Sequence, residues 1–131
     1  MRLLIKLKAL NNISCGKQHF IPIQGFIYSL LKDTSFNHIH QEKNYKFFCF
    51  SNLFSQKGNS FNHFKKGKIY NLIISSPNEI FLKTIGKEIL TQEKIKIGSA
   101  FFKLKTLTFF QPKLSTPLKI ATQSPIIIRI P

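Results

Sequence analysis

Residues 68–90 read KIYNLIISSPNEIFLKTIGKEIL, and the hydrophobic period changes in the middle of the run. Lys68 to Ser75 is rich in Ile and Tyr and reads as a strand. Ser76-Pro77-Asn78-Glu79 then carries the signals of a helix start, with Ser76 as the cap, Pro77 at the first helical position and Glu79 closing a capping box. Phe81, Leu82, Ile85 and Ile89 follow on one helical face, to about Leu90.

Downstream, Lys94 to Thr108 reads as a hairpin turning on Gly98-Ser99. A two-residue turn pairs Ile97 with Ala100, Ile95 with Phe102 and Lys94 with Lys103. Ile95, Ile97, Phe102 and Leu104 then share one face, and Lys94, Lys96, Lys103 and Lys105 the other. Upstream, Arg2 to Lys8 alternates, with Leu3, Ile5 and Leu7 on one side and Arg2, Leu4, Lys6 and Lys8 on the other, as in a half-buried strand. Leu10 to Phe20 reads as a polar loop. Pro22 opens a helix whose Ile23, Phe26, Ile27, Leu30 and Leu31 form one apolar stripe. Ser35 caps a short second helix to about Lys43. Tyr45 to Phe54 is an aromatic-rich strand, and Ser55 to Gly67 a loop. The order is strand, helix, strand, strand, helix, strand. That predicts an α+β, ferredoxin-like (βαββαβ) fold, an antiparallel sheet with both helices on one face. Leu3, Ile5, Leu7, Phe26, Ile27, Leu30, Ile73, Phe81, Ile85 and Ile89 are expected in its single core.

The chain has 131 residues, 43% of them hydrophobic, which suits one domain and excludes a disordered tail. No run approaches the ~18 apolar residues of a membrane span. Two cysteines cannot build a disulfide scaffold, and Met1 to Leu10 lacks the features of a signal peptide, so a cytoplasmic location is expected. Lys and Arg number 20 against 5 acids, a net charge of +15. There are 18 Lys to 2 Arg and 19 Ile to no Val, so an AT-rich genome accounts for part of the lysine excess. It does not account for the scarcity of acids, and the charge points to a polyanion, nucleic acid first.

Few residues stand out as chemistry. The lysine face of the hairpin, Lys94, Lys96, Lys103 and Lys105, sets like charges opposite one another, a cost that a phosphate backbone would relieve. Lys65 and Lys66 add to the basic surface. Tyr28 lies on the first helix but about 130° from the centre of its apolar stripe, so it faces solvent, a loop or a ligand. His38-Ile39-His40 has metal-motif spacing. The other histidines, His19 and His63, are isolated and acids are few, so no metal and no other cofactor is expected. One histidine suffices as a general acid or base. Lys46 follows His40 by six residues, within reach across a helix–strand connection. Gly-rich phosphate loops and nucleophile elbows are absent.

Four segments in order resemble one family: Pro22-Ile23-Gln24-Gly25-Phe26-Ile27-Tyr28-Ser29-Leu30-Leu31-Lys32, Tyr45 to Phe54, Ile73-Ile74-Ser75-Ser76-Pro77-Asn78-Glu79, and Ser124-Pro125-Ile126-Ile127. The family is the CRISPR-associated endoribonuclease of the RAMP superfamily that cuts repeat–spacer transcripts into guide RNAs, and the chain resembles its N-terminal half. The resemblance implies metal-independent cleavage of CRISPR repeat RNA (pre-crRNA) by attack of a 2′-hydroxyl, leaving 2′,3′-cyclic phosphate and 5′-hydroxyl ends. It implies Tyr28, His40 and Lys46 as the catalytic residues, and other CRISPR effector subunits as further partners. Relatives have two ferredoxin-like domains and a Gly-rich loop near the C-terminus. Here residues 1–123 are expected to be the first domain, and 124–131 a junction strand or linker toward a second. A non-catalytic basic RNA-binding module is the alternative that charge and size also fit. Tyr28, His40 and Lys46 in one surface cluster would favour the enzyme, and a buried His40 the module.

Overall fold

The computed structural model describes residues 1–14, 19–39, 41–42, 46–55 and 63–113. Along the chain run β1 (Arg2–Ala9), β2 (Ile13–Ser14), α1 (Phe20–Leu31), β3 (Cys49–Phe50), β4 (His63–Phe64), β5 (Ile69–Ser75), α2 (Glu79–Leu90), β6 (Ile95–Ile97) and β7 (Ala100–Phe110). Five strands form an antiparallel sheet in the order β3-β5-β1-β7-β6, and β2 and β4 make a separate short ladder. With β6 and that ladder set aside, the order is βαββαβ with β1 and β5 central, the ferredoxin-like topology expected. His40 and the expected junction at 124–131 lie outside the described residues.

Alternation in β1 decides which face is covered. Leu3, Ile5 and Leu7 are fully buried and sit across from Ile74, Leu72 and Tyr70 of β5. Ile23, Phe26, Ile27 and Leu30 of α1 and Phe81, Leu82, Ile85 and Ile89 of α2 join them in one core. Each such aliphatic or aromatic side chain contributes about 1.5–3 kcal/mol on burial, so the two stripes fix both helices to one face.

Ile73 does not belong to that core. It is half-buried and pairs with Leu4 on the opposite face. β5 carries apolar residues at both parities, and pairing with β1 settles which set turns inward. The β6–β7 hairpin keeps the expected register: Ile97 faces Ala100, Lys96 faces Phe101 and Ile95 faces Phe102. Gly98 has φ +62° and Ser99 a negative φ, the II′ pattern that requires glycine first. The ladder stops at Ile95, so Lys94 does not pair with Lys103. A bulge intervenes between the pairs Leu7–Leu104 and Lys6–Thr106, and Lys105 is the extra residue. Lys105 and Thr106 together oppose Lys6 of the outward face, so alternation resumes one residue late, with Leu107 across from Ile5. Beyond the bulge Phe109 faces Leu3, and its ring tip would lie 2.8 Å from a Cβ on residue 86, space that only Gly86 leaves open.

Helix boundaries shift for capping reasons. Asn78, not Ser76, caps α2: its side chain accepts from Phe81 N at 3.2 Å. Ser76 Oγ instead donates to Phe47 O at 2.7 Å and accepts from Asn78 N at 3.1 Å, which spends it on the turn. α1 begins at Phe20, so Pro22 is its third residue, still within the first turn where no N–H partner is missed. No regular helix forms at 35–39, because Thr34 Oγ1 takes Phe36 N and the turns that follow close i to i+3.

Candidate functional site

α1 presents Tyr28 beside its buried stripe, and the chain leaving the helix folds back past it. Thr34 Oγ1 donates to Leu31 O at 2.8 Å, Phe36 packs edge-on against Phe81 at 5.3 Å, and Ile39 is buried. These anchors hold 32–39 in place without helix. A cleft of about 460 Å³ opens between α1 and this segment, lined by Tyr28, Ser29, Lys32, Asn37, His38 and Gln41. Tyr28 is half-buried, with Phe48 edge-on at 6.5 Å, and its hydroxyl accepts from Gln24 Nε2 at 3.4 Å. His38 Nε2 lies 3.3 Å from Glu42 Oε1. One cation, one phenol, one imidazole and two amides around an open cleft suit an anionic, hydrogen-bonding ligand such as a phosphodiester.

Of the three residues singled out for catalysis, Tyr28 lines this cleft and Lys46 does not. The Lys46 ammonium donates to the backbone carbonyls of Ile39 and Glu42, and so ties the approach to β3 to the chain on either side of position 40. Among the described residues, no three His, Cys, Asp or Glu side chains gather as metal ligands would. No helix among them is long and apolar enough to cross a membrane.

Of the second group of sequence candidates, Lys96 and Lys103 lie on the sheet face away from the helices. Lys96 is opposite Phe101, and Lys103 is opposite Lys8 of β1. Lys94 Nζ sits 4.2 Å from the Phe101 ring centroid and Lys96 Nζ 5.9 Å. Lys105 is exposed at the bulge. Lys65 and Lys66 line a second, open cleft of about 660 Å³ with Asn12, Ser14, His63 and Lys68. All five acids fall within the described residues, and the ion pair found among those residues is His38–Glu42, so no described lysine is paired with a described carboxylate.

Sequence reasoning missed Lys32, His38, Lys8, Lys68 and Phe101 as members of these surfaces. Lys32 follows Tyr28 by four residues and so shares its side of α1, a usable signal. Lys8 and Lys103 meet only through the pairing of β1 with β7, which local pattern does not disclose.

No protein-family model matches the chain. It is 37% identical over 128 residues to CRISPR-associated endoribonuclease Cas6 2 of Methanocaldococcus jannaschii, a match that takes in 98% of this chain and 50% of that protein. The chain thus spans about half the length of the curated relative it matches. Among solved structures, CRISPR associated protein Cas6 aligns with a TM-score of 0.65 at 24% identity, over 86% of this chain and 50% of the other. A RAMP protein binding different RNA substrates aligns with a TM-score of 0.69 at 21% identity, over 86% and 49%. The product of a Cas6-related gene from Pyrococcus furiosus aligns at 0.67 and 22%, over 88% and 50%. The solved structures share the ferredoxin-like fold described above. The resemblance to the CRISPR-associated endoribonucleases extends along nearly the whole chain.

Proposed function

We propose that this chain carries the cutting site and part of the RNA grip of a CRISPR repeat-processing endoribonuclease. The observation that supports this most is the 37% identity to an endoribonuclease of that kind over 98% of the chain. CRISPR repeat RNA is the substrate, and other CRISPR effector subunits are further partners, in the cytoplasm. The ribose 2′-hydroxyl attacks the adjacent phosphorus, and the bond from phosphorus to the 5′-oxygen breaks. The products end in a 2′,3′-cyclic phosphate and a 5′-hydroxyl.

His40 moves the proton between the attacking 2′-hydroxyl and the leaving 5′-oxygen. Lys46 stabilises the extra negative charge of the pentavalent phosphate, as a fixed cation does. Its resting hydrogen bonds to Ile39 and Glu42 carbonyls support this role, because they fix an ammonium against the chain that follows α1. Tyr28 orients the nucleophile from the wall of the cleft. Lys65, Lys66, Lys94, Lys96, Lys103 and Lys105 hold the RNA backbone by charge. No metal takes part.

The test is cleavage of repeat RNA in chelator by the chain and by His40→Ala. The reading expects wild-type cutting unaffected by chelator and a loss of about 10²–10⁴-fold in His40→Ala with binding retained. Wild-type rate in His40→Ala, or cleavage stopped by chelator, overturns it.

A further inference from the structure

We propose that the sheet face away from the helices holds a stacking subsite for an unpaired RNA base, built on Phe101. This deepens the RNA-binding reading above and rests on it. Phe101 is partly exposed on β7 and points to the side opposite the buried Phe102 and Ala100. Its backbone is fixed on the β1 side, where its N–H donates to Asn11 Oδ1 at 3.1 Å and its carbonyl accepts from Leu10 N at 2.8 Å. Lys96 opposite therefore belongs to the close, non-hydrogen-bonded type of antiparallel pair, and its side chain rises beside the ring.

Two ammonium groups converge on this one ring, Lys94 at 4.2 Å and Lys96 at 5.9 Å from its centroid. A third and fourth, Lys103 and Lys8, stand across from one another one pleat further along the same face. Cations are drawn to the negative face of an aromatic ring, but two at the ring and two more along the same face repel each other. A single RNA strand resolves both: its base stacks on the ring, and its flanking phosphates take the ammonium groups, whose flexible stems swing off the ring to reach them. Duplex RNA does not fit, because its bases are already stacked and paired.

The experiment uses the full chain, single-stranded RNA carrying 2-aminopurine at successive positions, and the variants Phe101→Leu, Phe101→Tyr and Lys96→Gln. For the wild type, 2-aminopurine fluorescence is quenched at one position on binding. Phe101→Leu loses that quenching and binds about 5- to 150-fold more weakly with an unchanged salt slope, while Phe101→Tyr restores both. Lys96→Gln lowers the salt slope by about 0.7 and keeps the quenching. Unaltered affinity and quenching in folded Phe101→Leu, with a normal salt slope, overturns the stacking subsite alone. Failure of the wild type to bind any RNA overturns the RNA-binding reading and this inference together.

Discussion

Lys103→Gln should make the chain more stable and a poorer RNA binder. In the free chain Lys103 stands directly across from Lys8 on one sheet face. Two ammonium groups about 6–7 Å apart in water repel by about 0.6 kcal/mol, halved to about 0.3 kcal/mol at 0.1 M salt. Directly opposed like charges in sheets reach about 1 kcal/mol. Removing one should therefore stabilise by about 0.3–1 kcal/mol, a rise in Tm of about 1–4 °C for a domain of this size. At ~1 M salt, where the Debye length falls to about 3 Å, the gain should vanish. With RNA bound the sign reverses. One lost phosphate contact lowers the salt slope by about 0.7, or about fivefold in affinity at 0.1 M salt. Thermal melts at both salt concentrations and binding titrations across a salt series measure the two halves. A Tm that falls or stays level at low salt would show that Lys103 and Lys8 do not repel, and a salt slope equal to wild type that Lys103 meets no phosphate.

Asn78→Ala should cost about 1 kcal/mol by leaving Phe81 N–H without its cap, whereas Asn78→Gly should cost only a few tenths; thermal melts separate them, and equal losses would deny the cap. Asn71 is buried and its Oδ1 has no hydrogen-bond partner among the described residues, so Asn71→Leu should raise stability by about 1 kcal/mol in denaturant titrations, and a loss would show that the oxygen is satisfied. Tyr28→Phe should slow repeat-RNA cleavage by about 10²-fold while RNA affinity stays within twofold, and an unchanged rate would remove the hydroxyl from the mechanism.

The parts of the fold legible in the sequence are those whose pattern has one solution. β1 alternates with a clear inner set, α1 has one stripe, and Gly98-Ser99 admits one hairpin register. Ile73 beside Ile74 has two solutions, and the choice belongs to β1. The bulge at Lys105 is settled by pairing: Leu104 and Leu107 have opposite parity in a regular strand, and only their partners Leu7 and Ile5, on one face of β1, turn both inward. The β2–β4 ladder joins Ile13 to Phe64 across fifty residues of sequence, beyond the reach of any window. Ser76 and Asn78 compete for one cap, and Ser76 is drawn away by Phe47 O. At the site, Tyr28 was visible as a residue off the stripe. Phe101 carries no such mark: one more ring in a chain with 14 Phe does not stand out, although it shares the parity of Lys103.

In the proposed reaction the 2′-hydroxyl of the RNA is the nucleophile and the chain's own side chains are the catalysts. Repeat RNA with a single 2′-deoxy substitution at the cleaved nucleotide tests it most directly, in chelator, with end-group analysis of the unsubstituted control. The substituted RNA should bind with unchanged affinity and stay intact, while the control yields 2′,3′-cyclic phosphate and 5′-hydroxyl ends. Cleavage of the substituted RNA at the control rate, or 5′-phosphate ends in the control, would contradict it.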